Sequence, residues 1–531
     1  MNRGLFDGLN ESQKLAVTAD EDNLLVVASP GTGKTLTIVR RIAYLVNQGV
    51  SPENILAVTF TNRAAREMKE RANALLGSEA YRAFIGTFHL LGLKIVRQLA
   101  QDNFAICNRD EQINILKEIL EGTKTKAQEA AGEISRIKNF LEDANGEMSG
   151  IYEAYQSTLS AKSALDFDDL ILKPIHMFKD EAILRQYQGM FSHIIVDEYQ
   201  DINPAQYRLL KLLAGDRADV CAVGDSDQAI YAFRGADIEN FLNFEKDFKG
   251  AKRIALIENY RSTGTILNAS GSMIKSNLKR IDKKLGTARE SGRPITMISA
   301  PDEKAEGEFI VKEIEARIGC TSHYNMYAHG SNAACDGSYS FSDFAVIFRT
   351  NAQAKAVEEV FMESGIPYQV IGRKNLRQRK EIEDTISYMR SIIDPSGDAG
   401  KEEGASLEET LLAEDDFFDP KADAITLMTM HMAKGLEFRV VFIAGVEYGL
   451  IPYTLNKDDA DIEEERRLFY VGMTRAKDEL FLIHARNRFL YGQKLNQPAS
   501  PFMKDIPKDL IQDVVIPARA IKDKKKQIGL F

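Results

Sequence analysis

The run Ala28 to Thr35 reads Ala-Ser-Pro-Gly-Thr-Gly-Lys-Thr and lies between the apolar stretch Leu24 to Val27 and a helix-like stretch, Leu36 to Val46. A strand, a glycine turn and a helix start in that order form a cradle for phosphate. Gly31 and Gly33 let backbone N–H groups approach the oxygens, and the helix N-terminus faces their charge. In such a loop Lys34 reaches the β- and γ-phosphates, and the Thr35 hydroxyl ligates Mg²⁺. Ala28 stands where the commonest spelling has a glycine. A second strand-like run, His193 to Val196, ends in Asp197 and Glu198. Carboxylates at the C-terminal end of a parallel strand lie where open α/β sheets bind ligands. Asp197 is suited to hold Mg²⁺, and Glu198 to orient or deprotonate an attacking water. A third run, Val220 to Val223, leads into Gly224, Asp225 and Gln228, a position from which a γ-phosphate is sensed. Tyr231, Phe233 and Arg234 follow directly. Aromatic faces stack on bases without sequence preference, so this stretch joins phosphate chemistry to nucleic acid.

Three strand ends must be brought together by a larger frame. The chain has 531 residues, 44% of them hydrophobic and 27% charged, enough for several folded domains and against disorder as the main state. A formal net charge of −10 excludes nucleic-acid binding by bulk charge and requires local surfaces instead. Cys107, Cys221, Cys320 and Cys335 form no disulfide framework and fit a reducing compartment. The start, Met-Asn-Arg-Gly-Leu-Phe-Asp-Gly, has no apolar signal core, and no apolar run is long enough to span a bilayer, so the expected location is cytoplasmic.

With these stretches assembled, the chain resembles the UvrD/Rep/PcrA family of superfamily 1A DNA helicases, from near Leu9 to near Gly492. The stretch from Leu9 to Val17 is similar to the family's Q motif. Ala57 to Arg71 resembles motif Ia, and Gly86 to Gly92 resembles motif Ib. Leu256 to Thr263 is similar to motif IV, Thr426 to Phe438 to motif V, and Glu463 to Lys477 to motif VI. The resemblance implies an α/β fold of two RecA-like P-loop NTPase domains with parallel sheets, a helical insertion in the first, and ATP bound between the domains. It implies that Gln13 meets the adenine edge, Tyr260 stacks on adenine and Glu437 contacts the ribose. Arg261 and Arg475 would be arginine fingers, and Gln228 would connect the γ-phosphate to the DNA side. The cofactor-binding set is then Gln13, Ala28, Ser29, Gly31, Thr32, Gly33, Lys34, Thr35, Tyr260, Arg261, Glu437 and Arg475. Thr35 and Asp197 would hold the metal. Lys34, Asp197, Glu198, Gln228, Arg261 and Arg475 carry the hydrolysis. By position in the motifs, Phe60, Thr61, Asn62, Thr87, Phe88, His89, Phe167, Tyr231, Phe233, Arg234, His431 and Tyr491 contact the strand.

The implied activity is ATP-dependent 3′-to-5′ translocation on single-stranded DNA or unwinding at single-strand/duplex junctions, in repair or replication, with ATP and Mg²⁺ as cofactors. Two other readings are a motor subunit of a helicase-nuclease complex, against which no nuclease domain follows motif VI, and a DNA- or clamp-binding scaffold with a vestigial ATPase. The intact catalytic set argues against the scaffold. The expected first motor domain is discontinuous, residues 1–106 and 188–262, around a helical subdomain, 107–187. The second motor domain covers 263–510, and a basic tail covers 511–531.

Five features depart from the family or lie outside the motor. Phe233 stands where relatives usually carry a tryptophan, and Leu36 where an arginine often meets the adenine. The large helical 2B subdomain of relatives is replaced by a short linker, 395–422. Cys320, His323, His329 and Cys335 share one polar loop, but their spacing matches no compact zinc signature, and a plain surface insertion is expected. The last residues include Gln527, Ile528, Leu530 and Phe531, similar to a bacterial sliding-clamp-binding peptide on a lysine-rich tether.

Overall fold

A computed structural model of the chain describes residues 4–99, 104–319, 339–372, 418–455 and 460–517. The zinc-type loop, nearly all of the short linker and the clamp-type peptide lie outside these residues. The described residues belong to two compact units, each with its own parallel sheet. The first is drawn from Met1–Tyr260 and Lys279–Gly286, and the second from Arg261–Leu278, Thr287–Ile392 and Asp415–Phe531.

In the first unit six strands pair in the order Phe84–Thr87, Ile55–Thr59, His193–Val196, Asp219–Gly224, Asn23–Ala28 and Lys252–Leu256. All five pairings are parallel. The apolar runs of the sequence are continuous, because a parallel sheet is covered on both faces. Leu25 and Val27 pack to one side with Phe88, Ile175 and Leu209, and Leu24, Val26 and Ala28 to the other with Ile38, Val39 and Ile42. The C-terminal ends of His193–Val196, Asp219–Gly224 and Asn23–Ala28 are adjacent in this order, and they carry the three candidate stretches. Helices Arg109–Ile119, Ala127–Phe140 and Glu147–Ala161 close on a core of their own around Leu116, Ala131, Ile134 and Tyr155. A short parallel strand pair, Ala105–Cys107 with Ala164–Asp166, accompanies them.

In the second unit the strands run Tyr368–Val370, Ile425–Thr429, Phe344–Phe348, Phe438–Ala444, Ala476–Leu490, Ile295–Asp302 and Ile511–Val515. Gln493–Leu495 adds an antiparallel hairpin to the end of Ala476–Leu490. Two sequence expectations are corrected here. Ile511–Val515, expected to begin the tail, is an edge strand of this sheet, paired in parallel with Ile295–Ser299. Its β-branched Ile and Val residues suit a half-covered edge. Lys279–Gly286, expected in the second motor domain, belongs to the first unit, held by ion pairs to its interior.

Candidate active site

The turn after Asn23–Ala28 is shaped by two glycines in the left-handed region, Gly31 at φ +71° and Gly33 at φ +83°. Gly33 caps the helix Lys34–Asn47 without any side-chain hydrogen bond, so the helix's first N–H groups are left to a ligand. Ser29 is buried, and its Oγ has no hydrogen-bond partner. An orphaned hydroxyl beside an uncapped helix start fits a phosphate group. The Thr32 hydroxyl instead donates to Ser29 O at 2.8 Å and braces the turn. Gln13 is buried behind it. Its Nε2 donates to Thr32 O at 3.0 Å, and its Oε1 accepts from Asn10 N at 3.0 Å in a capping box. The Gln13 amide supports the loop's backbone. Thr35 is half-buried on the first turn of the helix.

Lys34 Nζ lies 2.8 Å from Glu198 Oε1, so the loop lysine and the second-strand carboxylate are neighbours. Glu198 itself sits at φ +50°, a conformation that costs a non-glycine residue about 1–2 kcal/mol. Such strain persists where the surroundings hold it, as they do here. Glu198 N donates to Asp197 Oδ1 at 2.9 Å, and Gln200 Nε2 donates to Glu198 Oε2 at 2.5 Å. The same Gln200 accepts from Asp225 N at 2.9 Å through its Oε1. Asp225 Oδ2 then accepts from Gln228 Nε2 at 2.8 Å. One run of hydrogen bonds therefore joins Glu198 to Gln228. Sequence alone assigns Gln200 no role, because nothing in its spacing shows that its amide spans two strand ends.

Gly224 makes room for that amide. A Cβ at this position would stand 2.2 Å from Gln200 Oε1 and 2.8 Å from the Phe241 ring. Gly224→Ala is expected to destabilise the chain by about 1–3 kcal/mol and to lower ATP turnover with it. Thermal unfolding measured beside steady-state hydrolysis checks both effects.

Tyr260 presents an exposed ring beside the loop. Its N–H donates to Gly31 O at 2.9 Å, and Asn259 Nδ2 donates to Pro30 O at 2.7 Å. The Tyr260 hydroxyl accepts from Asn10 Nδ2 and donates to Glu258 Oε2, both at 2.8 Å. The ring's edge is fixed while a face stays open, as base stacking requires.

The second unit carries the two arginines. Arg261 Nε donates to Glu437 Oε2 at 2.6 Å, and Nη1 donates to Thr474 O at 3.2 Å. Lys477 Nζ meets the other Glu437 oxygen at 2.8 Å. Burial opposes the charge on Glu437, yet the Arg261 and Lys477 cations hold its carboxyl below the ordinary range. Arg475 is only 2% exposed. Its guanidinium donates to Val471 O at 2.8 Å, Leu436 O at 3.2 Å and Thr474 Oγ1 at 3.1 Å.

Two aromatic clusters stand on the first unit. Phe60 stacks on Tyr231 with centroids 4.6 Å apart, and Tyr231 meets Phe233 at 5.9 Å, with the Arg234 guanidinium over both rings. Phe233 is 60% exposed. His89 stacks on the exposed Phe167 with centroids 3.9 Å apart. Burial pushes the His89 pKa down to about 3, so its ring is neutral at ordinary pH. Thr61 caps the helix Asn62–Leu76 through Ala64 N, and Asn62 opens it, half-buried. Thr87 accepts from Leu90 N at 3.2 Å and starts the helix Phe88–Leu99. Phe88 is a correction. At 4% exposure it packs in the sheet's core with Leu25, Val27 and Leu91, so its ring is closed to a base. In the second unit His431 is half-buried after the strand Ile425–Thr429, and Tyr491 is exposed on the hairpin turn at φ +53°.

The UvrD/REP helicase N-terminal domain model matches residues 9–249, and the UvrD-like helicase C-terminal domain model matches 254–400 and 403–487. The chain belongs to the UvrD/REP helicase family. Among the curated relatives it is similar to, a protein of Staphylococcus aureus named ATP-dependent DNA helicase PcrA is 34% identical over 656 residues, covering 96% of this chain and 87% of the relative. A protein of the same name from Staphylococcus epidermidis is 35% identical over 654 residues, with the same shares covered. The two-sheet α/β architecture is that of two RecA-like helicase domains. Among the described residues no helix is long and apolar enough to cross a membrane.

Proposed function

We propose that this chain is an ATP-dependent DNA helicase whose hydrolysis drives 3′-to-5′ movement along single-stranded DNA, in the cytoplasm and in the service of repair or replication. The observation that carries the reading is continuity. The hydrogen-bond run from Glu198 ends at Gln228, and three residues later Tyr231 enters the ring cluster of Phe60 and Phe233. A change at the phosphate end is transmitted over a few residues to a surface suited to bases.

The hydrolysis follows from the side chains. Lys34 exchanges Glu198 for the β- and γ-phosphate oxygens, because the phosphates offer more negative charge than one carboxylate. Released, Glu198 takes the proton of the attacking water. Gln228 meets the γ-phosphate, and Arg261 and Arg475 serve the charge that develops on it. Mg²⁺, held by Thr35 and Asp197, supplies charge neutralisation on the phosphates when bound. Tyr260 stacks on adenine, Gln13 meets its edge and Glu437 reaches the ribose.

Bases stack on Phe233, Phe167 and Tyr491, which supply the affinity that a net-acidic chain lacks in charge. Phe233→Ala is expected to weaken binding of an oligo-deoxythymidine by about 5- to 150-fold, from ~1–3 kcal/mol of stacking per base. Fluorescence anisotropy on a labelled oligonucleotide reads the change.

The reading includes the absence of the 2B subdomain. The alignment with the S. aureus relative runs over 656 residues against the 531 of this chain, so that relative has internal sequence without a counterpart here. The C-terminal family model is interrupted between 400 and 403, beside the acidic segment that begins at Lys401. Translocation then persists while unwinding is weak. Strand displacement on 3′-tailed and 5′-tailed duplexes tests this: short displacement from the 3′ tail alone is expected, and long processive unwinding by a monomer would count against it. Gln527, Ile528, Leu530 and Phe531 are proposed to engage a sliding clamp, a contact that deletion of the last five residues should abolish in a pull-down.

A further inference from the structure

The stretch Lys279–Gly286 has no part in the chemistry above. The chain leaves the first unit after Tyr260, runs through Arg261–Leu278 of the second, returns to the first for Lys279–Gly286, and re-enters the second at Thr287. Within the first unit this return segment is tied to the loop that follows the strand Asp219–Gly224. Arg280 grips Asp227 as a fork, Nε to Oδ1 and Nη2 to Oδ2, both at 2.9 Å. Lys283 Nζ lies 3.0 Å from Asp227 Oδ2 and also pairs with Asp225 Oδ1. Ile281 N donates to Ser226 Oγ at 3.0 Å. Asp225, Ser226 and Asp227 are thus each held by the segment.

These are interior contacts. Asp225 is 0% exposed, and the Lys283 side chain is 3% exposed. A buried ion pair adds little against an apolar substitute, but losing one partner leaves an uncompensated charge that the fold must relieve by moving or by binding a proton. Burial opposes ionisation of Asp227, and the Lys283 and Arg280 cations hold its carboxyl below the ordinary range all the same. Asp225 is also the hub of the hydrolytic side chains. Its Oδ2 fixes the Gln228 amide, and its N–H holds Gln200, which in turn holds Glu198.

We propose that Lys283, seconded by Arg280, is a positioning residue for ATP hydrolysis: by neutralising Asp225 in the interior it fixes the Gln228 amide and, through Gln200, the Glu198 carboxylate. The proposal rests on the roles given above to Glu198 and Gln228. It separates Lys283 from the nucleotide itself, so the rate suffers and binding does not.

The test is steady-state ATP hydrolysis with saturating oligo-deoxythymidine for the full chain, Glu198→Gln, Lys283→Gln, Lys283→Arg and the double variant Asp225→Asn with Lys283→Gln. Lys283→Gln is expected to lower kcat by about 10- to 100-fold, the scale of a small misplacement of catalytic groups. KM for ATP should stay within about threefold, since ground-state binding is untouched. Lys283→Arg, which keeps the charge, should recover most of the rate. The double variant removes both buried charges, so it should melt near the parent chain yet remain slow. A double variant with the parent's kcat would make the pair an ordinary structural contact and overturn the proposal, as would a rise in KM that accounts for the whole loss. Parent-like turnover by Glu198→Gln would instead remove the reading on which it rests.

Discussion

Glu198→Gln is expected to lower ATP turnover by about 10²- to 10⁴-fold while ATP binding changes little. The substitution keeps the side chain's size and its ability to accept from Gln200 Nε2, now 2.5 Å away, and removes only the capacity to take a proton. It also removes the 2.8 Å ion pair with Lys34. Lys34 then has one competitor fewer for phosphate, so affinity for ATP should hold or rise slightly. Rate and affinity moving in opposite directions is the signature of a catalytic carboxylate. Rapid-quench hydrolysis gives the rate, and a fluorescent nucleotide analogue gives the affinity. Retained turnover would remove Glu198 from the chemistry.

Arg261→Ala is expected to cost about 10³-fold in kcat, the lower end of what an arginine finger contributes. The residue is half-buried, and in its own unit its guanidinium meets the Glu437 carboxylate and the Thr474 carbonyl. Lys477 remains on Glu437 after truncation, so that carboxylate keeps a cation and the fold should be spared. A structural role would appear in the melting temperature, and a catalytic one in single-turnover hydrolysis at saturating ATP. The account requires a large kinetic loss beside a melting shift of a few degrees at most. Arg475 makes a poorer test, because its guanidinium satisfies two interior carbonyls and a hydroxyl, and its removal disturbs them all.

Local motifs were readable because their chemistry is local. The phosphate loop needs glycines at positive φ immediately before a helix, and Gly31, Gly33 and Lys34 meet that need within four residues. The parallel sheets were readable as apolar runs, since strands covered on both faces lose the alternation of half-exposed ones. Direction was harder to read. Phe88 and Phe233 are both aromatics inside motifs, yet one is 4% exposed in the core and the other 60% exposed, a difference set by what each element packs against. Contacts across long stretches of chain were illegible. Lys283 and Asp225 are 58 positions apart, and a Lys-Lys pair at 283 and 284 reads as surface until the return of the segment buries one of them. The edge strand Ile511–Val515 is hard to read for a related reason, because five residues ahead of a basic stretch, two half-buried and three exposed, carry too little pattern to announce a pairing.

The most direct test of the account is stopped-flow translocation on oligo-deoxythymidines of increasing length, labelled at either the 5′ or the 3′ end. The account predicts an ATP-dependent signal from the 5′ label whose lag grows in proportion to length, lost in Glu198→Gln. Hydrolysis without a length-dependent lag, or a lag seen from the 3′ label instead, would contradict it.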